Sequence, residues 1–405
     1  MGSVAIVGAG PGGATLAYLL ARNGVKVTLL ERHRDFEREF RGEVLMPSGL
    51  EPFAQMGLWK PVEAVPHVLL RAAAIYLKGE PRARIDFAPD AFGAYAPRWI
   101  SQPALLEMLV HEAGRSPGFA LVRGASVNDL VQEQGRFVGV RFARDGEPGE
   151  IRADLVVGAD GRGSVVRRRA GLAVARDSLP MDIVWTRLPL LPELESDPVF
   201  RVYLGDAHLL IAAPIYGGQL QIAWIIRKGS YSDIRKRGMP ACLDEMANHV
   251  SPDLRDHLRR HRDGSIESFL LSTVSDHVLQ WCLPGLMVLG DAAHTMSPVG
   301  AQGLNVAIRD AVVAANHLAP ALSGEVDPAR IDAAACAAEA ERIPEVRIIQ
   351  RAQALPPKIL FRRSRWAQAL LAAAVGLAGS RFGQVRAGRA LARVAAGQTQ
   401  VRVEV

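Results

Sequence analysis

The sequence predicts an α/β fold: a mainly parallel sheet with an antiparallel meander, joined to a separate antiparallel sheet and followed by a helical tail. Three observations predict it. Residues 4–7 and 25–30 are short apolar runs that flank a helical stretch at 14–22, which makes a β-α-β unit in about thirty residues. Residues 183–273 instead carry alternating or apolar segments separated by glycine turns, the texture of an antiparallel sheet. The last sixty residues are rich in Ala and Arg and read as helix.

The elements follow in order. Asn23-Gly24 stops the first helix. Residues 103–113 read as a second helix, with Pro103 in its first turn and Gly114 beyond its end. Segments 120–122, 126–131 and 137–142, punctuated by Gly135 and Asp145-Gly146, predict the meander. Residues 155–157 form a buried strand before a glycine turn. In the second sheet, segments 200–204, 208–212 and 219–226 are separated by Gly205-Asp206 and Gly217-Gly218, and a helical stretch near 240–261 interrupts them. Residues 286–289 return to a buried strand, and a long helix starts near Gly303.

With 49% hydrophobic and 22% charged residues over 405 positions, the chain can bury a core, so extensive disorder is excluded. Cys242, Cys282 and Cys336 are scattered and include no CxxC pair, which argues against a disulfide scaffold or a zinc ribbon and predicts no metal site. The N-terminus has no charged leader and Gly8 interrupts its apolar run, so no secretory signal is expected, and a reducing, cytoplasmic setting follows. The formal net charge of +6 is concentrated: residues 341–405 hold twelve Arg or Lys against three Asp or Glu. This tail carries no motif. No nucleic-acid signature accompanies it, so nucleic-acid binding is not expected. Weak peripheral membrane contact is left open, because Trp366, Leu370 and Leu371 lie beside Arg362, Arg363 and Arg365. The uncharged stretch 366–380 would span about 22 Å as a helix, too short for a bilayer core of about 30 Å.

Three glycine-rich segments carry the chemistry. Gly8-Ala9-Gly10-Pro11-Gly12-Gly13 is a G-x-G-x-x-G between strand and helix, the Rossmann-like arrangement. Its glycines let the backbone approach a pyrophosphate, and the helix offers unpaired N–H groups and the positive end of its dipole. Glu31, at the end of the second strand, can accept both hydroxyls of a ribose, which favours an ADP moiety without a 2′-phosphate. The second segment, 158–164, places Asp160 at a strand end. Taken alone, it reads as a plain β-to-α turn with Ser164 as helix cap. The third is Gly290-Asp291-Ala292-Ala293-His294 followed by residues 298–305. There Asp291 could hold a polyol hydroxyl, and Gly300 and Gly303 let the chain pass close to a flat ligand. The helix that begins there would stabilise developing negative charge, as a reduced flavin requires. His294 reads as a loop histidine packing near the site.

In this order and spacing, the three segments resemble the class A flavoprotein monooxygenases, the para-hydroxybenzoate hydroxylase-like FAD-dependent oxidoreductases. Arg41-Gly42-Glu43 also resembles that family's flavin-contacting Arg segment. The resemblance implies FAD as cofactor, with Gly8, Gly10, Pro11, Gly12, Gly13, Glu31 and Arg32 about its ADP half and Asp291, beside Gly290, on its ribitol. It places Pro298, Gly300, Gly303, Leu304 and Asn305 against the isoalloxazine, with Pro298 and Arg41 near the reacting flavin and Asp160 touching flavin or the nicotinamide donor. Gln102 stands where the family often has Arg and would hold the pyrophosphate without charge. The implied division is 1–75, 96–178 and 274–345 for a discontinuous FAD-binding domain, 76–95 and 179–273 for a substrate-binding sheet, and 346–405 for the helical region.

The implied reaction is monooxygenation. NAD(P)H, met transiently, reduces FAD; oxygen adds at flavin C4a; the hydroperoxide passes one oxygen atom to an electron-rich, aromatic or polyketide-like small molecule. Trp185, Tyr203, Tyr216 and Trp224 lie on or beside the second sheet and are candidates for the substrate pocket, although each also reads as sheet core. No catalytic acid or base is assigned. The alternatives are a reductase of the geranylgeranyl type, a flavin-dependent halogenase and a flavin-binding protein without turnover. The Trp-x-Trp-x-Ile-Pro stretch of the halogenases has no match in Ala223-Trp224-Ile225-Ile226-Arg227.

Overall fold

The computed structural model describes residues 1–37, 43–88, 92–93, 95–177, 179–205, 208–264, 266–360, 373 and 375–405. Arg41 and Gly42, Asp206, and the apolar and basic group of Arg362, Arg363, Arg365, Trp366, Leu370 and Leu371 lie outside the described residues.

The first sheet has six strands in the order Cys282–Leu283, Leu286–Val288, Leu155–Gly158, Ser3–Val7, Lys26–Glu31 and Phe119–Arg123. All pairs are parallel except the short antiparallel edge at Cys282. Its strands are apolar on both faces because both faces are covered. Val4, Ile6, Val27 and Leu29 pack with helices Pro11–Arg22, Gln102–Ala113 and Gly303–Leu322, whereas Ala5, Val7 and Val156 point into a second cluster with the meander. The meander is Ala125–Glu133, Arg136–Arg144 and Glu147–Arg152. Segment 120–122, expected in the meander, belongs instead to Phe119–Arg123 and pairs in parallel with Lys26–Glu31. Gly124, at φ 72, lets the chain leave that strand and start the meander one residue later.

The second sheet has seven strands in the order Ser268–Leu271, Met181–Pro189, Gln219–Arg227, His208–Ile215, Val199–Gly205, Ala72–Leu77 and Glu80–Asp86. It is antiparallel except where Val199–Gly205 runs parallel to Ala72–Leu77. Strand Ala72–Leu77 belongs wholly to this sheet and crosses the expected domain limit at residue 75. Helices Tyr231–Ala247 and Pro252–Arg260 cover one face. They begin earlier than the expected 240, with Gly238 at φ 81 breaking the helical geometry.

The C-terminal region is helical, through Pro328–Leu360 and Arg381–Ala396, but it is not a loose tail. Gln398 and Thr399 donate backbone N–H groups to Glu345 Oε1 at 2.8 and 3.3 Å, and Arg309 donates to the Thr399 carbonyl at 2.6 Å. Farther on, Val403 donates to Gln55 Oε1 at 2.7 Å, and Val401 is buried. Cys282 and Cys336 are joined by a disulfide that ties the edge strand to helix Pro328–Leu360, and Cys242 is free and buried. The scattered spacing had suggested no such pairing, since 54 residues separate partners that only the fold brings together. Among the described residues, no helix is long and apolar enough to cross a membrane.

Candidate active site

One cavity of about 1280 Å³ runs from the glycine turns of the first sheet to the open face of the second. Ligand pockets are commonly about 300–1,000 Å³, so this one has room for a large cofactor and a second molecule.

At the first end, the glycines do two different jobs. Gly8 sits at φ 99, and a Cβ there would strike Ala159 and Asp160; a Cβ on Gly13 would run into the Gly8 carbonyl. Those two glycines close the turn and dock it on the second motif. Gly10 has nothing within 4 Å of its Cβ position, so a side chain there would project into open space rather than into the fold. Gly10 is also the N-cap of helix Pro11–Arg22 and supplies no side-chain acceptor, so the first-turn amides stand uncapped at the cavity wall. Glu31 is buried, and its carboxylate accepts the N–H groups of Ala9 at 3.0 Å and His33 at 3.1 Å, fixing it beside the turn. Arg32 lines the same wall and donates to His33 Nε2.

The second and third motifs converge on the first. Arg162 Nε meets Asp291 Oδ2 at 3.2 Å, and Gly290, at φ 58, donates its N–H to Asp310 Oδ2 at 3.2 Å. Asp291 keeps about a third of its side chain exposed (30%), toward a wall that also holds Gly290 and Pro298. Asp160 also lines the cavity, yet its oxygens are engaged within its own loop: Ser164 Oγ and the N–H groups of Val165 and Val166 donate to it. Burial pushes its carboxyl up, against those hydrogen bonds.

At the bend between the two ends, Pro298, Gly300, Gly303 and Leu304 all line the cavity. Gly300 at φ 76 and Ala301 at φ 52 turn the chain before helix Gly303–Leu322. Asn305 is fully buried and is not in the cavity wall. Its Oδ1 accepts Met46 N–H at 2.9 Å and its Nδ2 donates to Val44 O at 3.2 Å, so it pins the helix to the segment after Glu43. Gln102 lines the cavity at the start of helix Gln102–Ala113.

At the second end, strand parity decides which aromatic residues reach the cavity. Trp185 pairs with Ala223, Ala223 with Ile211, and Ile211 with Val202, and this whole row lines the cavity. A second row, Ile183, Ile225, Leu209 and Leu204, lies beside it. Trp224 and Tyr203 fall on the opposite row with Val184 and Leu210, sealed under the helices. There the Tyr203 hydroxyl bonds Ser251 Oγ at 2.9 Å and its ring stacks on Tyr76 at 4.6 Å. Tyr216 is not in the cavity wall either; its hydroxyl donates to Glu43 Oε2 at 3.2 Å. Burial raises the Glu43 carboxyl to about 7, with Tyr216 and Arg187 pulling the other way.

Three groups escaped the sequence reading. One is Glu43 as a titratable group. Another is the wall formed by Leu391, Val394 and Ala395 of helix Arg381–Ala396, together with Leu355, Pro356 and Pro357. The third is a buried charge chain behind the third motif. His294 Nε2 meets Asp310 Oδ2 at 2.6 Å, and Arg342 reaches both Asp310 Oδ1 at 2.8 Å and Glu345. Arg309 pairs with Glu345 at 2.7 Å. Burial opposes the ionisation of Asp310, but His294 and Arg342 bring it down to about 2. His294 is therefore a core residue that reaches Gly290 through Asp310, whose Oδ2 is shared by both.

The geometry suits a dinucleotide that lies along the first end. Comparison with known proteins agrees: residues 1–348 match the family model described as an FAD binding domain. The chain is 30% identical over 404 residues to the 6-methylpretetramide 4-monooxygenase of Streptomyces rimosus, covering 99% of this chain and 93% of the relative. It is also 30% identical over 375 residues to the kynurenine 3-monooxygenase of Stenotrophomonas maltophilia, covering 86% and 77%. Among solved structures, p-nitrophenol 4-monooxygenase PnpA of Pseudomonas putida shares the fold at TM-score 0.79 and 17% identity, over 99% of this chain and 100% of that one. The chain belongs to the FAD-binding domain family and is an FAD-dependent monooxygenase.

Proposed function

We propose that this enzyme takes electrons from NAD(P)H, met transiently, and uses O₂ to hydroxylate or epoxidise an electron-rich small molecule of aromatic or polyketide-like character. The observation that carries the reading is the single cavity that joins the glycine turns to the apolar sheet face. The uncapped amides at Gly10, the fixed Glu31 carboxylate and the half-open Asp291 fit an FAD laid along the first end. Bound there, FAD supplies the redox chemistry and the activation of oxygen.

The protein's own part is binding, orientation and exclusion of water. Gly8 and Gly13 shape the turn, Gly10 leaves room for pyrophosphate, and Glu31 takes the ribose hydroxyls, with Arg32 and Gln102 at the flanks. Asp291, with Arg162 beside it, holds the ribitol. Pro298, Gly300, Gly303 and Leu304 border the ring system, and the N-terminus of helix Gly303–Leu322 stabilises negative charge there. Asp160 braces its loop beneath the cofactor through the N–H groups of Val165 and Val166. Asn305 holds the 44–46 segment against the same helix. On this reading the first sheet and its helices form the cofactor domain and the second sheet the substrate domain, with Trp185 in the pocket.

The test is NAD(P)H oxidation by the purified yellow protein, screened against small aromatic and polyketide-like compounds. A compound that stimulates oxidation and returns one oxygen atom heavier supports the reading. Reduction or chlorination of the compound instead, with no oxygen incorporated, refutes it.

A further inference from the structure

Helix Gly303–Leu322 serves both ends of the cavity through three buried side chains. Asp310 accepts the N–H of Gly290 at 3.2 Å, so it holds the loop that carries Asp291. Asn305 and Arg309 stand four residues apart and so share one face of the helix. Asn305 accepts the N–H of Met46 at 2.9 Å. Arg309 donates to the Thr399 carbonyl at 2.6 Å and to its hydroxyl at 3.1 Å. Met46 and Thr399 are both neighbours of helix Arg381–Ala396. Met46 borders the cluster of Phe92, Ala392 and Ala395, and Thr399 lies just beyond the end of the helix.

Glu345, fully buried, joins these contacts. Its Oε2 takes Arg342, which also holds Asp310 at 2.8 Å. Its Oε1 takes Arg309 at 2.7 Å and the N–H groups of Gln398 and Thr399 at 2.8 and 3.3 Å. One carboxylate therefore links the partner of Gly290 to the end of helix Arg381–Ala396. The fit is close: Gly397 has φ 88, and a Cβ there would lie 2.9 Å from Arg309 Cζ. The helix's own buried cluster among the described residues is small, Ala392 and Ala395 with Phe92, bordered by Met46, Phe87 and Leu391. Segments that bury little apolar surface open at lower cost than the rest of a fold. Yet Leu391, Val394 and Ala395 of this helix are cavity wall at the substrate end.

We propose that Glu345 is a positioning residue that couples the two ends of the cavity. FAD held at the Gly290–Asp291 loop keeps helix Arg381–Ala396 docked, and the docked helix tightens the hold on FAD. Such coupling is reciprocal, so each event favours the other by the same factor. The substrate-end wall is then complete only in the FAD-loaded protein, and substrate follows cofactor. The inference rests on the proposed seat of the ribitol at Asp291. It is independent of the electron donor and of the compound oxygenated.

The experiment is hydrogen exchange, read by mass spectrometry, on the apoprotein and the FAD-loaded protein, with FAD affinity measured by flavin titration. The reference is helix Tyr231–Ala247, on the sealed face of the second sheet, which reports general stabilisation. FAD is expected to slow exchange in residues 381–396 about ten-fold more than in that reference. Glu345→Gln should erase this difference and weaken FAD binding about ten-fold. Gly397→Ala changes no charge but pushes on Arg309, and should have the same two effects, so the test stands if Glu345→Gln fails to fold. Equal slowing of both helices in the unmodified protein would overturn the proposal. So would selective slowing that survives in the folded variants, which direct contact with FAD would produce. Unchanged FAD affinity in those variants would overturn it too, since support of the fold alone would leave affinity unmoved. Asp291→Ala checks the seat of the cofactor. Unchanged FAD affinity there overturns that seat and this proposal with it. Weakened FAD there, with no selective slowing at 381–396 in the unmodified protein, overturns the coupling alone.

Discussion

The two ends of the cavity are built on opposite principles. The glycine end is made of backbone: turns at positive φ, uncapped helix amides and carboxylates held in place by N–H groups. The sheet end is made of side chains, two rows of apolar groups whose direction is set by strand register. Backbone sites tolerate little change because their atoms cannot be repacked, whereas a side-chain wall can change its members one at a time. A cofactor common to a family belongs at the first kind of site and a substrate particular to one member at the second.

The largest effect is expected from the support shared by both ends. Arg342→Ala should remove about 3–5 kcal/mol of stability by taking away the guanidinium that the buried Asp310 and Glu345 share, leaving one cation fewer for two buried carboxylates, which chemical denaturation would measure. A loss below about 1 kcal/mol would show that the charge chain is not what holds the Gly290 loop and the 398–399 segment together.

Glu43 lies near the junction, and its pH dependence has a definite sign. Its folded pKa of about 7 stands above the ordinary 4.5, so the protonated form is the one the fold favours. Its contribution is whole below about pH 4.5, declines as the pH rises and is gone above about 7. Glu43→Gln should therefore remove this decline and stabilise the protein by roughly 1–3 kcal/mol at pH 8. Thermal unfolding across that range checks it, and an unchanged slope refutes it.

At the glycine end, Gly10→Val should weaken FAD binding by about 100-fold or more, roughly 2.7 kcal/mol, while the apoprotein melts as before, because the new side chain meets only open space. Gly13→Val makes the contrast, since it should compromise the apoprotein itself. Flavin titration and apoprotein melting, run on both, separate the two roles. The smallest effect tests the sheet. Trp224→Phe, on the sealed face, should cost about 1 kcal/mol of stability and leave substrate KM unchanged. A shift in KM as large as that from Trp185→Phe would erase the distinction between the faces.

The same contrast explains what could be read from the residues alone. The glycine end was legible because its chemistry is local: Gly8, Gly10, Gly13 and Glu31 stand at fixed spacings on a strand, a turn and a strand. The β-α-β start and the antiparallel second sheet were legible for the same reason, through runs of apolar and alternating residues. Trp185 and Trp224 were not separable, since both sit in apolar strand text. Only the pairing of Trp185 with Ala223 shows that they face opposite ways, and a slip of one residue would exchange them. Nor could the buried charges be found: Arg309, Asp310, Arg342 and Glu345 resemble solvated helix charges until helices Gly303–Leu322 and Pro328–Leu360 are packed together. The disulfide and the C-terminal wall are likewise products of long-range packing.

The clasp between Glu345 and the N–H groups of Gln398 and Thr399 has a consequence for biosynthesis. A ribosome delivers residue 345 some fifty residues before residue 399, so a buried carboxylate waits for partners still inside the exit tunnel. The core behind the third motif cannot be completed until that late segment emerges, and truncated nascent chains should fall to proteolysis rather than accumulate as half-built enzyme.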